Sequence, residues 1–160
     1  MGFSKEWNEV LDEVVKFQKV NEPVWYRGHG SNADDYLLNS GLFRETILTN
    51  KEKRLDEEIN SSIKIDRFIN KETVYYNYFK NMGYVHHKES DWDLLFMMQH
   101  YKVRTRLLDW TEAFAVSLFF AFQNWDKGQT ARIWMLKPLS LNRFSLQKGA
   151  YYDLSNDSYE

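Results

Sequence analysis

The sequence predicts a mixed α+β fold, in which a small sheet is covered by several amphipathic helices. Helical and extended patterns follow one another in the order α, β, several α, β, α, β, which is typical of this class. The 160 residues fit one compact domain, 1–160, and no repeat or linker indicates a second. Hydrophobic residues make up 43% of the chain and aromatic residues 17%, enough for a packed core without disulfides.

The first helix and first strand are predicted from local patterns. Residues 4–20 repeat apolar side chains at helical spacing, with Ser4 as the expected N-cap. Residues 24–28, VWYRG, are rich in β-forming side chains and stop at a glycine, which predicts a short strand. Residues 29–35 are polar and glycine-rich, which predicts a loop.

The rest of the chain is predicted to alternate helices with short strands. Apolar stripes indicate two amphipathic helices between 51 and 81, the second with Val74, Tyr75, Tyr78 and Phe79 on its apolar face. Ser90 or Asp91 can cap a further helix that ends near Tyr101. The remaining expectations are a strand at 105–108, a buried helix at 112–125, a strand at 131–136 and a tail without a clear period at 139–160. In the buried helix, Leu118, Phe119, Phe120 and Phe122 are expected to fill the core.

Composition excludes several classes of function. The chain has no cysteine, so thiol catalysis and cysteine zinc sites are ruled out. A net charge of −2 does not favour extended nucleic-acid binding. No leader peptide opens the chain and its longest apolar run, 113–122, is too short for a bilayer, so we expect a soluble cytoplasmic protein without a membrane partner.

Motifs for common chemistries are also missing. The chain contains no phosphate-binding P-loop, no Gly-x-Ser-x-Gly elbow and no HxxxH or HExxH zinc spacing. His86 and His87 are adjacent, and adjacent side chains diverge rather than converge on a metal. We therefore expect no metal.

A first polar cluster surrounds the end of the predicted strand 24–28. Gly28 and Gly30 allow a backbone to approach a ligand closely, and Arg27 can fork onto a phosphate or a carboxylate. An arginine held by a salt bridge to a neighbouring strand explains the same pattern equally well. Both interpretations stay open.

A second polar cluster lies in QHYKVRTRLLDWTEAFAVSLFFAF, residues 99–122, directly before an apolar segment. A buried charge is costly unless it is paired. If 105–109 is extended, side-chain alternation places Arg106 and Asp109 on opposite faces, so they do not pair easily. We predict that Arg27 contacts Asp109 from a neighbouring strand, which leaves Arg106 to Gln99, His100, a backbone carbonyl or a ligand.

These two segments resemble the signature motifs of the FRG domain, a family of bacterial and phage proteins named for a (Phe/Tyr)-Arg-Gly motif. The resemblance rests on WYRGHGSNADDYLLNSGLFRE, LLFMMQHYKVRTRLLDWTEAFAVSLFFAF and ARIWMLKPLSLN, and it spans 24–142. The second family motif resembles Gln-His-Tyr-Gly-x-Pro-Thr-Arg-Leu-Leu-Asp-Trp-Thr. Lys102 stands where the family tends to have glycine and Arg104 where it tends to have proline, which suggests a changed loop.

The order of elements is also similar, more weakly, to arginine-type ADP-ribosyltransferases. That resemblance implies a related fold, with Arg27 at the pyrophosphate of NAD, Thr111 at the nicotinamide ribose and Asp109 as the acid that stabilises oxocarbenium-like charge. Those enzymes carry their acid on a late strand, whereas this chain has no Glu-x-Glu or Gln-x-Glu and its acids after 131 lie in the tail.

Three functions stay open. The first is binding of a nucleotide-like ligand of the NAD or ADP-ribose type in a cleft, in a protein of phage or bacterial conflict systems. The second is an active NAD-dependent ADP-ribosyltransferase or NAD hydrolase that acts as a toxin or effector. The third is a protein-interaction module whose polar motifs are purely structural.

The candidate site is shared by these hypotheses. The candidate catalytic residues are Arg27, Asp109 and Thr111. The candidate ligand-binding residues are Tyr26, Arg27, Gly28, His29, Gln99, His100, Arg106 and Trp110. The implied cofactor is NAD, and the expected partner is a nucleotide-like small molecule or a target protein.

Overall fold

The computed structural model describes residues 2–19, 21–30, 38–43, 61–83, 90–123, 125–126 and 128–151, with only the backbone described for 61–65. In this part of the chain the elements are α1 Lys5–Gln18, β1 Trp25–His29, α2 Ser61–Gly83, α3 Asp91–His100, α4 Phe114–Gln123, β2 Arg132–Leu136 and α5 Pro138–Leu146. The predicted α+β class is confirmed. None of the helices described here is both long and apolar enough to span a bilayer.

The chain divides into two compact units. The first contains Met1–Asn32 and Asp109–Tyr152, and the second contains Ala33–Leu108 and Asp153–Glu160. The first unit therefore holds α1, β1, α4, β2 and α5, while the second holds α2 and α3.

The first unit is built on a two-stranded antiparallel ribbon. β1 pairs with β2, with Tyr26 opposite Met135 and Gly28 opposite Ile133. One face of the ribbon packs on a core of Val14, Val24, Tyr26, Phe17, Phe114, Ile133 and Met135. α1 supplies two of these side chains, and it begins as predicted, because the Ser4 hydroxyl accepts a hydrogen bond from the Trp7 backbone nitrogen at 3.2 Å.

The second unit has its own core, where α2 meets α3. Leu94, Leu95 and Met98 of α3 are buried against Tyr76 of α2. α3 begins at a capping box, in which the Ser90 hydroxyl accepts from the Asp93 backbone nitrogen at 3.2 Å and the Asp93 carboxylate accepts from the Ser90 nitrogen at 3.3 Å. The predicted start of this helix is confirmed.

α3 ends in a Schellman motif, in which Lys102 occupies the position that usually takes glycine. The Val103 nitrogen donates to the Met98 carbonyl at 2.9 Å and the Lys102 nitrogen donates to the Gln99 carbonyl at 3.0 Å. Lys102 adopts the left-handed region at φ 63°, where a side chain costs free energy that glycine avoids. Val103 packs on the core that contains Met98, which completes the motif.

Three predictions about the elements are wrong. Residues 105–108 do not form a strand, and the strand paired with β1 is β2. The helix predicted at 112–125 begins two residues later, as α4, and it is not buried. Phe119 is 61% exposed, Phe120 53% and Phe122 51%, while only Ser117 and Ala121 of this helix are buried. The tail contains α5, because Pro138 at the first helical turn starts a helix.

The prediction for 51–81 is partly corrected. The region 51–60 lies outside the described residues, and 61–83 is one continuous helix. Tyr75 and Phe79 pack on the core as expected, but Val74 and Tyr78 are exposed. The helical period is correct, and the apolar face is narrower than predicted.

Candidate functional site

The ribbon has a second face, opposite the core, that carries arginine, histidine and tryptophan side chains. Registered partners in an antiparallel pair share a face, and residues two apart on a strand do as well. Arg27 lies opposite Trp134, and His29 lies opposite Arg132. Trp25 and Leu136 extend the same face at the other end of the ribbon. We call this surface, made of Trp25, Arg27, His29, Arg132, Trp134 and Leu136, the polar face.

Arg27 connects the polar face to the segment that precedes α4. Its Nη1 donates a hydrogen bond to the backbone carbonyl oxygen of Asp109. The predicted contact between Arg27 and Asp109 is therefore present, although its premise, a strand at 105–108, is wrong. Since a carbonyl accepts this hydrogen bond, the contact positions the chain at Asp109 whatever the charge of its carboxylate.

His29 is held by the same arginine. Arg27 Nε donates to His29 Nε2 at 3.1 Å, and the histidine is only 7% exposed. An imidazole nitrogen that accepts a hydrogen bond carries no proton. In this contact Arg27 is the donor and the His29 Nε2 nitrogen is the acceptor.

Arg132 and Trp134 complete the polar face. The Arg132 guanidinium lies over the Trp134 ring, 5.2 Å from its centroid, in a cation–π arrangement. The Trp134 Nε1 is buried and has no hydrogen-bond partner in the part of the chain that the structure describes. Trp25 is fixed by stacking on Tyr151, with 5.8 Å between ring centroids, and by donating to Glu112 at 3.3 Å.

Tyr26 and Thr111 hold β1 to the start of α4. The Tyr26 nitrogen donates to the Thr111 carbonyl at 2.7 Å, and the Thr111 nitrogen donates back to the Tyr26 carbonyl at 2.9 Å. The Tyr26 side chain points into the core, where its hydroxyl accepts from Gln18 at 2.5 Å. The Thr111 hydroxyl accepts from the Ala113 nitrogen at 3.1 Å, which satisfies a donor at the helix entry.

Gly28 allows α4 to pack closely on β1. A Cβ atom at this position would lie 1.9 Å from the Ser117 carbonyl oxygen and 2.8 Å from the Ala121 nitrogen. Both are backbone atoms that cannot move without shifting the helix. On the side of Gly28 where a Cβ would stand, the strand backbone therefore lies directly against α4.

The remaining candidates, Gln99, His100 and Arg106, belong to the second unit, whereas Trp110 lies half-buried in the first. The Gln99 side chain accepts from the Thr105 hydroxyl and donates to the Leu107 carbonyl at 3.5 Å. These contacts hold the segment after α3 in place. His100 is exposed, and its ring packs edge-on against Tyr101.

Arg106 pairs with Glu72, a residue that the sequence analysis missed. Glu72 lies on α2 and is fully buried, and its carboxylate accepts from the Arg106 backbone nitrogen at 2.6 Å and from the Arg106 Nε. The sequence contains a signal that could have identified Glu72. This residue is four positions from both Phe68 and Tyr76 and therefore lies on the apolar stripe of α2. A carboxylate on an apolar stripe needs a buried partner.

Arg132 and Trp134 are further residues that the sequence analysis did not assign to the site. The alternation in ARIWML already places them together on one side of the strand. Only the register shows that this side is shared with Arg27 and His29. Among the described residues no group of three histidine, aspartate or glutamate side chains could hold a metal ion, and His86 and His87 lie outside them.

The comparisons with known proteins agree with the motifs. No curated protein and no solved structure matches the chain. The family model for the FRG domain matches residues 22–130, which is more than half of the chain. This match includes β1, the Schellman motif at the end of α3, the segment 105–111 and α4, and we conclude that the chain belongs to the FRG domain family.

Proposed function

We propose that the polar face binds an anionic nucleotide-like ligand of the NAD or ADP-ribose type. The observation that carries this proposal is the register of the ribbon, which brings Arg27, Arg132 and Trp134 onto one face. Arg27 lies opposite Trp134, so Arg132, two residues along β2, is its diagonal neighbour at roughly 7–8 Å between Cα atoms.

The chemistry of these side chains suits a pyrophosphate next to an aromatic ring. A guanidinium group donates parallel hydrogen bonds to phosphate oxygens, and Arg132 supplies one on this face. Arg27, which already donates to His29 and to the Asp109 carbonyl, adds a second positive charge beside it. An indole offers a flat surface on which a base can stack, here on the side of Trp134 opposite the Arg132 guanidinium. A ligand acceptor that reached the Trp134 Nε1 would also satisfy a buried donor that has no partner among the described residues.

Binding without turnover is the form of the proposal that we favour. The chain has no aspartate or glutamate between 131 and 151, so β2 and α5 supply no carboxylate to stabilise oxocarbenium-like charge. Asp109 is exposed, and its backbone is engaged by Arg27. A cytoplasmic role in phage or bacterial conflict is proposed from the family resemblance alone.

Isothermal titration calorimetry of the full chain with NAD, ADP-ribose and adenosine tests the proposal. We expect NAD and ADP-ribose to bind more tightly than adenosine, which lacks the pyrophosphate. Arg132→Lys should weaken binding at least tenfold, because lysine loses the fork geometry. Arg67→Lys, a change at an exposed arginine of α2, is the matched control and should bind as the wild type does.

Two results would contradict this function. One is the absence of any heat or thermal shift with NAD and ADP-ribose, and the other is equal binding by wild type and Arg132→Lys. Nicotinamide release is followed by NMR in the same samples. If the wild type releases nicotinamide, the proposal of binding without turnover is wrong and the protein is an NAD-consuming enzyme.

A further inference from the structure

An apolar groove of about 590 Å³ lies in the first unit, and none of its lining residues belongs to the polar face of the ribbon. It is formed by α1, α4 and β2, on the core side of the ribbon. Its apolar lining is Trp7, Val10, Val14, Phe114, Leu118, Ala121, Phe122, Ala131, Ile133 and Met135. Val10 and Phe122 are 43% and 51% exposed, so part of this lining is open to solvent.

The rim of the groove is acidic. Glu6, Glu9 and Glu13, on successive turns of α1, all line it. Lys5 and Lys16, which pair with Glu9 at 3.9 Å and with Glu13 at 2.5 Å, are not part of the lining. Exposed pairs of this kind contribute little and exchange readily, so the rim can accept cations from a partner.

The chain carries a segment of complementary chemistry in α5 and the residues after it. Leu141 and Phe144 lie one turn apart on α5 and are 47% and 89% exposed. Two exposed cations, Arg143 and Lys148, flank them. No acidic residue occurs between 131 and 151, so the segment is uniformly basic.

From this match we propose that the chain self-associates head to tail, with α5 of one copy bound in the α1–α4–β2 groove of another. Leu141 and Phe144 enter the groove, as the anchor residues of an amphipathic helix do. The cations beside them meet the three glutamates of the rim. The lengths are similar, since the rim from Glu6 to Glu13 extends about 10.5 Å and α5 extends about 12 Å at a rise of about 1.5 Å per residue.

This contact is heterologous, because it joins two different surfaces of the chain. Such a contact either closes into a ring, of which the dimer is the smallest, or continues into longer assemblies. It does not involve the polar face, so it is independent of the ligand proposed above. Monomeric variants should bind that ligand as the wild type does.

Two variants test the proposal, one that disables the groove and one that disables α5. Val10→Lys places a charge in the groove, and Phe144→Asp removes the main anchor from α5; both positions are exposed, so both variants should fold. We expect the wild type to self-associate in sedimentation equilibrium and each variant alone to remain at the monomer mass of 19.3 kDa. An equimolar mixture should form a heterodimer, because it retains one intact groove and one intact helix.

Matched controls use exposed residues away from both surfaces. Val15→Lys, on α1 but outside the groove, and Tyr78→Asp, on α2, should leave the wild-type association unchanged. Circular dichroism checks that every variant is folded. If Val10→Lys does not fold, Glu13→Lys replaces it as the groove variant. If Phe144→Asp does not fold, Leu141→Asp replaces it as the α5 variant. The wild-type association should weaken with added salt, since the rim contacts are ionic.

The proposal is overturned by a wild-type chain that stays monomeric at every concentration. It is equally overturned by self-association that survives Val10→Lys, or by an equimolar mixture of the two variants that remains monomeric. The last result would assign any wild-type assembly to another surface, such as the exposed phenylalanines of α4.

Discussion

Arg106 and Glu72, thirty-four positions apart in the sequence, form an ion pair that ties the segment after α3 to α2. Glu72 is fully buried, whereas the Arg106 side chain is 36% exposed. A second hydrogen bond, from the Arg106 backbone nitrogen, reaches the same carboxylate at 2.6 Å. Part of the family motif thus serves to hold the second unit together.

We predict that Arg106→Leu destabilises the protein by about 3–5 kcal/mol, because it leaves a buried carboxylate without its charge partner. Urea denaturation measures the loss. Arg67→Leu, at an exposed arginine of α2, should change stability by less than about 0.5 kcal/mol. The double variant Glu72→Leu/Arg106→Leu should be more stable than Arg106→Leu alone, and an additive loss would contradict the pair.

Gly28→Ala should destabilise the first unit by about 3 kcal/mol or more, since its Cβ would overlap the Ser117 carbonyl oxygen at 1.9 Å. Gly41→Ala is the control, because among the described residues no atom beyond the chain neighbours lies within 4 Å of a Cβ at that position. Thermal melts of both variants check the prediction. Equal melting temperatures would show that α4 does not pack on β1 at this point.

Phe119→Ala should cost less than about 1 kcal/mol, because the side chain is 61% exposed and surface substitutions have small effects. Leu95→Ala, at a fully buried position of α3, should cost about 2–5 kcal/mol. Both values come from urea denaturation. A loss for Phe119→Ala as large as that for Leu95→Ala would mean that the aromatic face of α4 is covered in solution.

Lys102→Gly should stabilise the protein by about 1 kcal/mol, because Lys102 occupies the left-handed position of a Schellman motif at φ 63°. Lys102→Ala removes the same side chain but keeps the strain, so its stability should stay close to that of the wild type. Comparison of the two variants in thermal melts separates backbone strain from side-chain effects. A destabilised Lys102→Gly would rule out the strain.

The carboxylate of Glu6 should titrate below its ordinary range. Its own backbone N–H and the Ser4 hydroxyl both donate to it, and these hydrogen bonds lower the pKa of Glu6. Because the folded-state pKa is lowered, the carboxylate stabilises α1 above the unfolded-state pKa, and this contribution is lost as the pH falls through the folded-state value. An NMR titration should place the pKa of Glu6 higher in Ser4→Ala than in the wild type, and an unchanged value would contradict the contact.

Some contacts of the candidate site could be predicted from the sequence, and others could not. The motif residues Arg27 and Asp109 were expected to meet, and they do, but through a backbone carbonyl that no sequence pattern reveals. Glu72 could have been found from its place on an apolar stripe. Its partner Arg106 could not, because many cations are available along the chain and only packing selects one.

The sequence by itself determined the elements whose signals are local. Ser4 and Ser90 cap α1 and α3 because an N-cap and the periodicity behind it lie within a few residues of each other. Alternation and β-forming residues similarly marked β1 and β2.

Only the tertiary structure decided which of these elements meet. A strand can hydrogen-bond to any extended segment that reaches its edge, so β1 had two candidate partners in the sequence, and the position of β2 selected one. The same packing placed α4 against Gly28, which makes that glycine a requirement of helix packing. Pairing and burial depend on distances between residues remote in sequence, and the periodicity of a single segment contains no information about those distances.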